Sequence, residues 1–206
     1  HELILSQMGE VGQYLMSLCF CDACRQRAAQ EGIDTEELAV IVRGHVSYLI
    51  ERERGAIDAT FTHAELASVL IEEPLIHAYT QMRIRSVTEL LRDIQSMLQS
   101  KASELLIVPS VFTRPGSKAW MEGTGLKLLD SFIDGIMLLS YFPDPALVKA
   151  DIEWLRLFAK QAPLHAAFNA GGSDAPSEAV LTANVMEALE HQPRSINYYN
   201  ASLLTR

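Results

Sequence analysis

Long apolar runs are missing from this chain. The longest, such as Gly135 to Phe142 (GIMLLSYF), are far shorter than the ~20 residues that cross a bilayer, and no basic segment followed by an apolar one opens the sequence. A membrane is therefore not an expected partner. Basic clusters are missing too. The formal charge is −9, with acidic and basic residues interspersed, which disfavours a surface that tracks a phosphate backbone, so nucleic acid is not expected either. Cysteine is scarce, and all three cysteines fall within Cys19–Cys24 (CFCDAC). An odd number packed so tightly makes poor long-range staples, which argues against a disulfide-built secreted domain and for a reducing, cytoplasmic setting.

What remains is the composition of an ordinary globular chain, 49% hydrophobic and 21% charged, with enough length to bury a substantial core. Four short apolar runs have a strand's length: Leu105–Ser110 (LLIVPS), Gly135–Tyr141 (GIMLLSY), Pro163–Asn169 (PLHAAFN) and Ser195–Asn200 (SINYYN). Their starts lie 30, 28 and 32 residues apart. Between them come helical stripes, Val148, Ile152 and Leu155 within Ala146–Lys160, then Leu181, Val185 and Leu189 within Glu178–His191. Strand, helix, strand at such a period is the βα unit of a parallel sheet. The first gap predicts a long loop over Thr113–Gly125 and a small helix over Leu126–Phe132.

The first hundred residues read as almost wholly helical. Asp34 and Glu37 predict a helix start, with Leu38, Ile41, Val42, His45 and Leu49 on one face, and Thr62 to Glu65 (THAE) has capping-box spacing. Pro74 predicts a break, since proline cannot donate the expected backbone bond. A further helix from about Leu75 to Gln99 would place Val87, Leu90, Leu91, Ile94 and Leu98 on one stripe and pack on the sheet.

Alternating strands and helices fit an open doubly wound sheet or a closed eight-stranded barrel. No glycine-rich phosphate loop follows any of the four strands, which weakens the nucleotide-binding form of the first. A barrel needs ~250 residues, and the chain supplies about half of one. It opens on His1 without an initiating methionine and stops just past Tyr198-Tyr199-Asn200, so the expectation is a fragment.

The segment from His1 to Leu38, with its His-Glu pair, SLCFCDAC and the helix start GIDTEEL, resembles the region after the fourth strand in a group of uncharacterised bacterial barrel proteins related to glycoside hydrolases. So do the strand ending in VPS, the RPGSKAWMEG loop, the YFPDP turn and the closing strand ending in YYN. The likeness covers essentially the whole chain, in order. It implies an α/β fold: one partial (β/α)8 barrel domain over 1–206, with a loop and helices over 1–104 following a missing strand and βα units over 105–206. It also implies a hydrolase acting on a carbohydrate or, alternatively, a barrel that binds a sugar or small polar ligand without turnover.

In a barrel, function is read where strands end. Glycoside hydrolysis needs two carboxyl groups across the scissile bond, and Glu2 with Asp144 is the pair available. Arg114, Tyr141, Asn169, Tyr199 and Asn200 are the expected ligand-binding residues, because rings stack on apolar sugar faces while amides and guanidinium bond hydroxyls or carboxylates. Each has a plainer role: Asp144, between two prolines, can cap the next helix, and Asn169 before Gly171-Gly172 can shape a turn. Tyr198 and Tyr199 alternate faces, so one of them is expected in the core. Trp120 and Glu122 are candidates for a lid. Cys19, Cys21 and Cys24 have three readings: ligands of a structural zinc ion, reduced structural thiols, or a redox site. His45 and His63 lie within chain reach as a fourth zinc ligand. A half barrel would also self-associate through its open sheet edges.

Overall fold

A computed structural model describes residues 9–54, 63–101, 104–112, 119–171 and 177–199. The chain divides into two compact units, His1–Arg83 and Ile84–Arg206.

The first unit is helical among the described residues: α1 (Gly9–Met16), α2 (Asp22–Gln30), α3 (Thr35–Arg54), α4 (His63–Glu72) and the start of α5 (Pro74–Lys101). Its turns follow from local chemistry. Helix α2 ends in a Schellman motif: Gly32, at φ +72, donates to the Ala29 carbonyl at 3.1 Å, and Ile33 donates to that of Ala28 at 2.9 Å. Glycine takes that left-handed conformation without the Cβ penalty. Asp34 then caps α3 as its sequence implies, Oδ1 accepting from the Glu36 and Glu37 amides at 2.9 and 3.0 Å. The expected face of α3 is realised: Leu38, Val42 and Leu49 are buried, Ile41 and His45 half-buried. Pro74 does break the helix, leaving Glu73 between α4 and α5 and occupying the first position of α5, where a missing N–H costs nothing. Thr62 lies outside the described residues.

The second unit holds the rest of α5, β1 (Ser110–Val111), a 3-10 turn (Ala119–Glu122), α6 (Leu126–Leu129), β2 (Ile136–Leu139), α7 (Pro145–Phe158), β3 (Leu164–Asn169), α8 (Glu178–Glu190) and β4 (Ser195–Tyr199). The strands form one all-parallel sheet in the order β1-β2-β3-β4. The fold is α/β, and the small helix after the loop is where the sequence places it. Both α7 and α8 join neighbouring strands in the same direction, so crossovers of one hand carry them to one face of the sheet, and they pack on each other.

That face is the core. Ile136, Leu138, Leu164, Ala166 and Phe168 from the strands meet Val148, Ile152 and Leu155 of α7 and Ala188 of α8, with Leu181, Val185 and Ile196 packed against them. Burying each large apolar side chain contributes about 1.5–3 kcal/mol.

Four expectations shift. The first strand is expected over 105–110, but only Ser110–Val111 form a ladder. Pro109 offers a carbonyl to Met137 N at 2.9 Å and has no N–H to return. On α8, Leu189 is exposed at 46%. Asn184 and Ala188 take the inner face instead, Asn184 Nδ2 donating to the Phe142 carbonyl at 2.6 Å. Leu90 is likewise exposed on α5, while Val87, Leu91, Ile94 and Leu98 are half-buried. Neither Tyr198 nor Tyr199 is core; both are exposed on β4, an edge of the described sheet.

Candidate functional site

Chemistry-bearing side chains gather at one place in each unit. In the first, α1 ends at Met16 and the chain runs through Leu18 to Cys21, the residue that precedes α2. Cys21 takes the extended conformation of an N-cap, φ −67 and ψ 164, and Cys24 follows in the first turn. The sulfurs of Cys19, Cys21 and Cys24 all lie within 4.8 Å of one another. Bonds of ~2.3 Å to a tetrahedral ion would set sulfurs roughly 3.8 Å apart, so a small inward movement closes the group on a metal. These three cysteines can hold a metal ion.

The loop that carries them is pinned at three successive carbonyls. Tyr79 Oη donates to the Cys19 carbonyl, Arg25 Nε to that of Phe20 at 2.8 Å, and Arg25 N to that of Cys21 at 2.9 Å. The Phe20 ring stacks on Tyr79 at 5.9 Å between centroids, and the Arg25 guanidinium reaches on to Glu36 in the first turn of α3. Sequence reasoning missed Tyr79 and Arg25. Arg25 follows Cys24 directly and was open to inspection, whereas Tyr79 lies 60 positions from Cys19 and carried no signal.

The thiols differ electrostatically. Cys21 is held below the usual thiol range, first by the Cys24 backbone N–H, then by the neighbouring thiols, burial opposing and the Ala23 N–H assisting. Its sulfur makes no regular cap hydrogen bond; the amides of the first turn act as dipoles nearby. Burial, followed by the other sulfurs, pushes Cys24 up to about 11. Tyr79 is also raised, chiefly by burial and then by Cys24, with Arg83 acting in the opposite sense. His45 pairs with Glu73 at 2.9 Å. Among the described residues no histidine or carboxylate joins the sulfurs, and the His63 side chain lies outside them.

In the second unit, residues of one parity share a strand face, and the register sets Asn169 beside Tyr199 at the carboxyl ends of β3 and β4. Tyr141, just past β2, stacks on Tyr199 at 6.2 Å with 26° between planes. Phe112, just past β1, meets Tyr141 edge-on at 5.8 Å. Three of the five expected ligand-binding residues are thus brought together, along with Phe112, which directly follows the first strand and is absent from the sequence expectation. Arg114, Asn200 and Glu2, one of the expected carboxyl pair, lie outside the described residues. Asp144 is exposed at the same edge and caps α7, Oδ1 accepting from Ala146 N at 2.9 Å beside Pro145. Trp120 is half-buried in the 3-10 turn; the Glu122 side chain is not described.

Toward the opposite ends of the strands, His165 Nδ1 and Asn197 Nδ2 each lie 2.8 Å from Ser195 Oγ. Burial, then the Arg194 charge, lowers the His165 pKa. No helix among the described residues is long and apolar enough to cross a membrane. Comparison with protein-family models, curated proteins and solved structures finds no match. The class is therefore defined by fold and site alone: an α/β chain with a parallel sheet, an aromatic strand edge and a cysteine cluster.

Proposed function

We propose that the parallel sheet is part of a (β/α)8-type barrel and that its carboxyl edge binds a carbohydrate. The stacked Tyr141 and Tyr199, with Phe112 edge-on to Tyr141 and Asn169 beside Tyr199, carry this reading. Flat rings suit the apolar face of a sugar, and an amide suits its hydroxyls. The barrel reading draws support from a strand order that never reverses, since an open doubly wound sheet binds ligands where the order does reverse. In this reading β1 and β4 are the edges of the described sheet, and self-association would run through them.

The test is calorimetric titration of the full chain with a panel of monosaccharides and oligosaccharides. Binding that falls at least tenfold in Tyr199→Ala supports the proposal, and absence of any saccharide binding overturns it. Hydrolysis is the narrower form. It would draw on Asp144 and Glu2, and it would appear as release of an aryl alcohol from aryl glycosides that is lost in Asp144→Asn. Because Asp144 also caps α7, the melting curve of that variant must be followed alongside.

The metal at the cysteines is, in this proposal, a structural zinc ion. Three thiolates match zinc's preference, and amide dipoles near Cys21 together with carbonyls fixed by Tyr79 and Arg25 give the donors a preset loop. One equivalent of zinc retained by the reduced chain and lost in Cys21→Ser supports it; no retention overturns it.

A further inference from the structure

We propose that Cys21 and Cys24 form a dithiol pair that a small-molecule disulfide closes into an intramolecular disulfide, leaving Cys19 as a thiol. The N-cap geometry carries the argument. An N-cap side chain in extended conformation points toward the third residue of its helix, the position whose amide it ordinarily bonds, and here that residue is Cys24. One helical turn also brings the two Cα atoms within the roughly 4.4–6.8 Å that a disulfide spans. Cys21 is exposed, so an incoming disulfide meets it, while Cys24 stands half-buried behind it with its sulfur within 4.8 Å. The Cys19 sulfur lies within the same range, but Cys19 stands outside the helix with its carbonyl tied to Tyr79 and the next residue stacked on the same ring, so the pair one helical turn apart closes in preference to it.

The exchange balances without any further oxidant. The Cys21 sulfur, having given its proton to solvent, attacks one sulfur of the incoming disulfide, forming a mixed disulfide and expelling one thiolate. Cys24 then loses its proton and attacks the Cys21 sulfur, expelling the second. Two protein thiols are oxidised and one small disulfide is reduced to two thiols. If the zinc reading holds, closure removes two of its three sulfurs and releases the ion, a consequence that rests on that reading while the disulfide does not.

The test treats the reduced, metal-free full chain with oxidised glutathione, alkylates it and maps the peptides. The expected result is a Cys21–Cys24 disulfide with alkylation confined to Cys19, and in Cys24→Ser a glutathione adduct that accumulates on Cys21. A stable adduct on Cys21 of the unaltered chain, or a disulfide that includes Cys19, overturns the proposal. A parallel sample loaded with zinc separates the two ideas: release in step with disulfide formation supports both, and failure of the reduced chain to bind zinc sinks the zinc reading while the peptide map still decides the disulfide.

Discussion

The two units owe their order to different physics. In the second, strands and helices meet across a continuous apolar layer in which Leu138, Val148, Ile152, Leu155 and Ala166 lose all contact with solvent. In the first, the stretch that matters chemically is an exposed loop held by hydrogen bonds to its carbonyls. Apolar burial is non-directional and tolerates imprecision, whereas carbonyl bonds fix individual atoms. One unit is thus specified by pattern and the other, at its site, by particular partners.

The sharpest way to break that contrast is to empty the layer. Phe168 is 1% exposed at the centre of the sheet's core. Phe168→Ala should cost about 3–5 kcal/mol through lost transfer energy and the cavity left behind, read as a lower urea midpoint at unchanged slope. A cost below about 1 kcal/mol would mean that the layer is not the source of stability. Gly135→Ala comes next. A Cβ there would sit 2.7 Å from His165 Cδ2 and Nε2 and 3.1 Å from the Pro163 carbonyl. The imidazole is held on its far side by Ser195, so the clash should cost about 1–3 kcal/mol. A melting temperature equal to that of the parent would show that the ring swings away freely.

These sites also show what the sequence discloses. The stripe Val148, Ile152, Leu155 is legible because an amphipathic helix against a sheet repeats its contacts every turn, and the four strands are legible because buried parallel strands read as apolar runs. The same reasoning misplaces Leu189, since it credits large apolar residues and overlooks that small Ala188 and hydrogen-bonded Asn184 let the helix approach. It extends the first strand over a proline that cannot complete a ladder. At the candidate sites, the cysteines are legible because their spacing is local. The aromatic edge is legible in part, as ends of successive strands. Tyr79 is not, because nothing local marks a tyrosine as the partner of a carbonyl on another element.

Acid should act on the second unit in two stages. His165 has its pKa lowered by burial and Arg194, so the unfolded chain takes up that proton more readily. Stability should therefore decline as pH falls below about 6.5, the ordinary histidine value, and level off once the folded state also protonates. Asp130 accepts from the amides of Lys160, Gln161 and Ala162 at 3.0, 2.9 and 2.7 Å. Burial pulls its pKa upward, but those three donors prevail and hold it below the usual carboxylate range. Its contribution is present above about 3.9 and is lost as pH falls further. Urea midpoints followed from pH 8 to pH 3 should show both declines, the first absent in His165→Gln and the second in Asp130→Asn. A profile unchanged by either substitution would dissociate these groups from acid sensitivity.

The smallest expected effect on stability tests the first unit's side of the contrast. Tyr79→Phe keeps the ring that stacks on Phe20 and removes only the hydroxyl that bonds the Cys19 carbonyl. The loss should be about 0.5–1.5 kcal/mol, less than any core truncation. If the proposed zinc ion is held there and preset carbonyls are what aim the sulfurs, its affinity should nonetheless fall about tenfold, as it does when a group supporting a ligand is removed. Competition against a chromogenic chelator reads this directly. A variant that loses stability but keeps its affinity would place the ordering of the loop with Arg25, whose two bonds to the Phe20 and Cys21 carbonyls survive the substitution. One that loses affinity alone would show a hydrogen bond worth little to folding and much to the site.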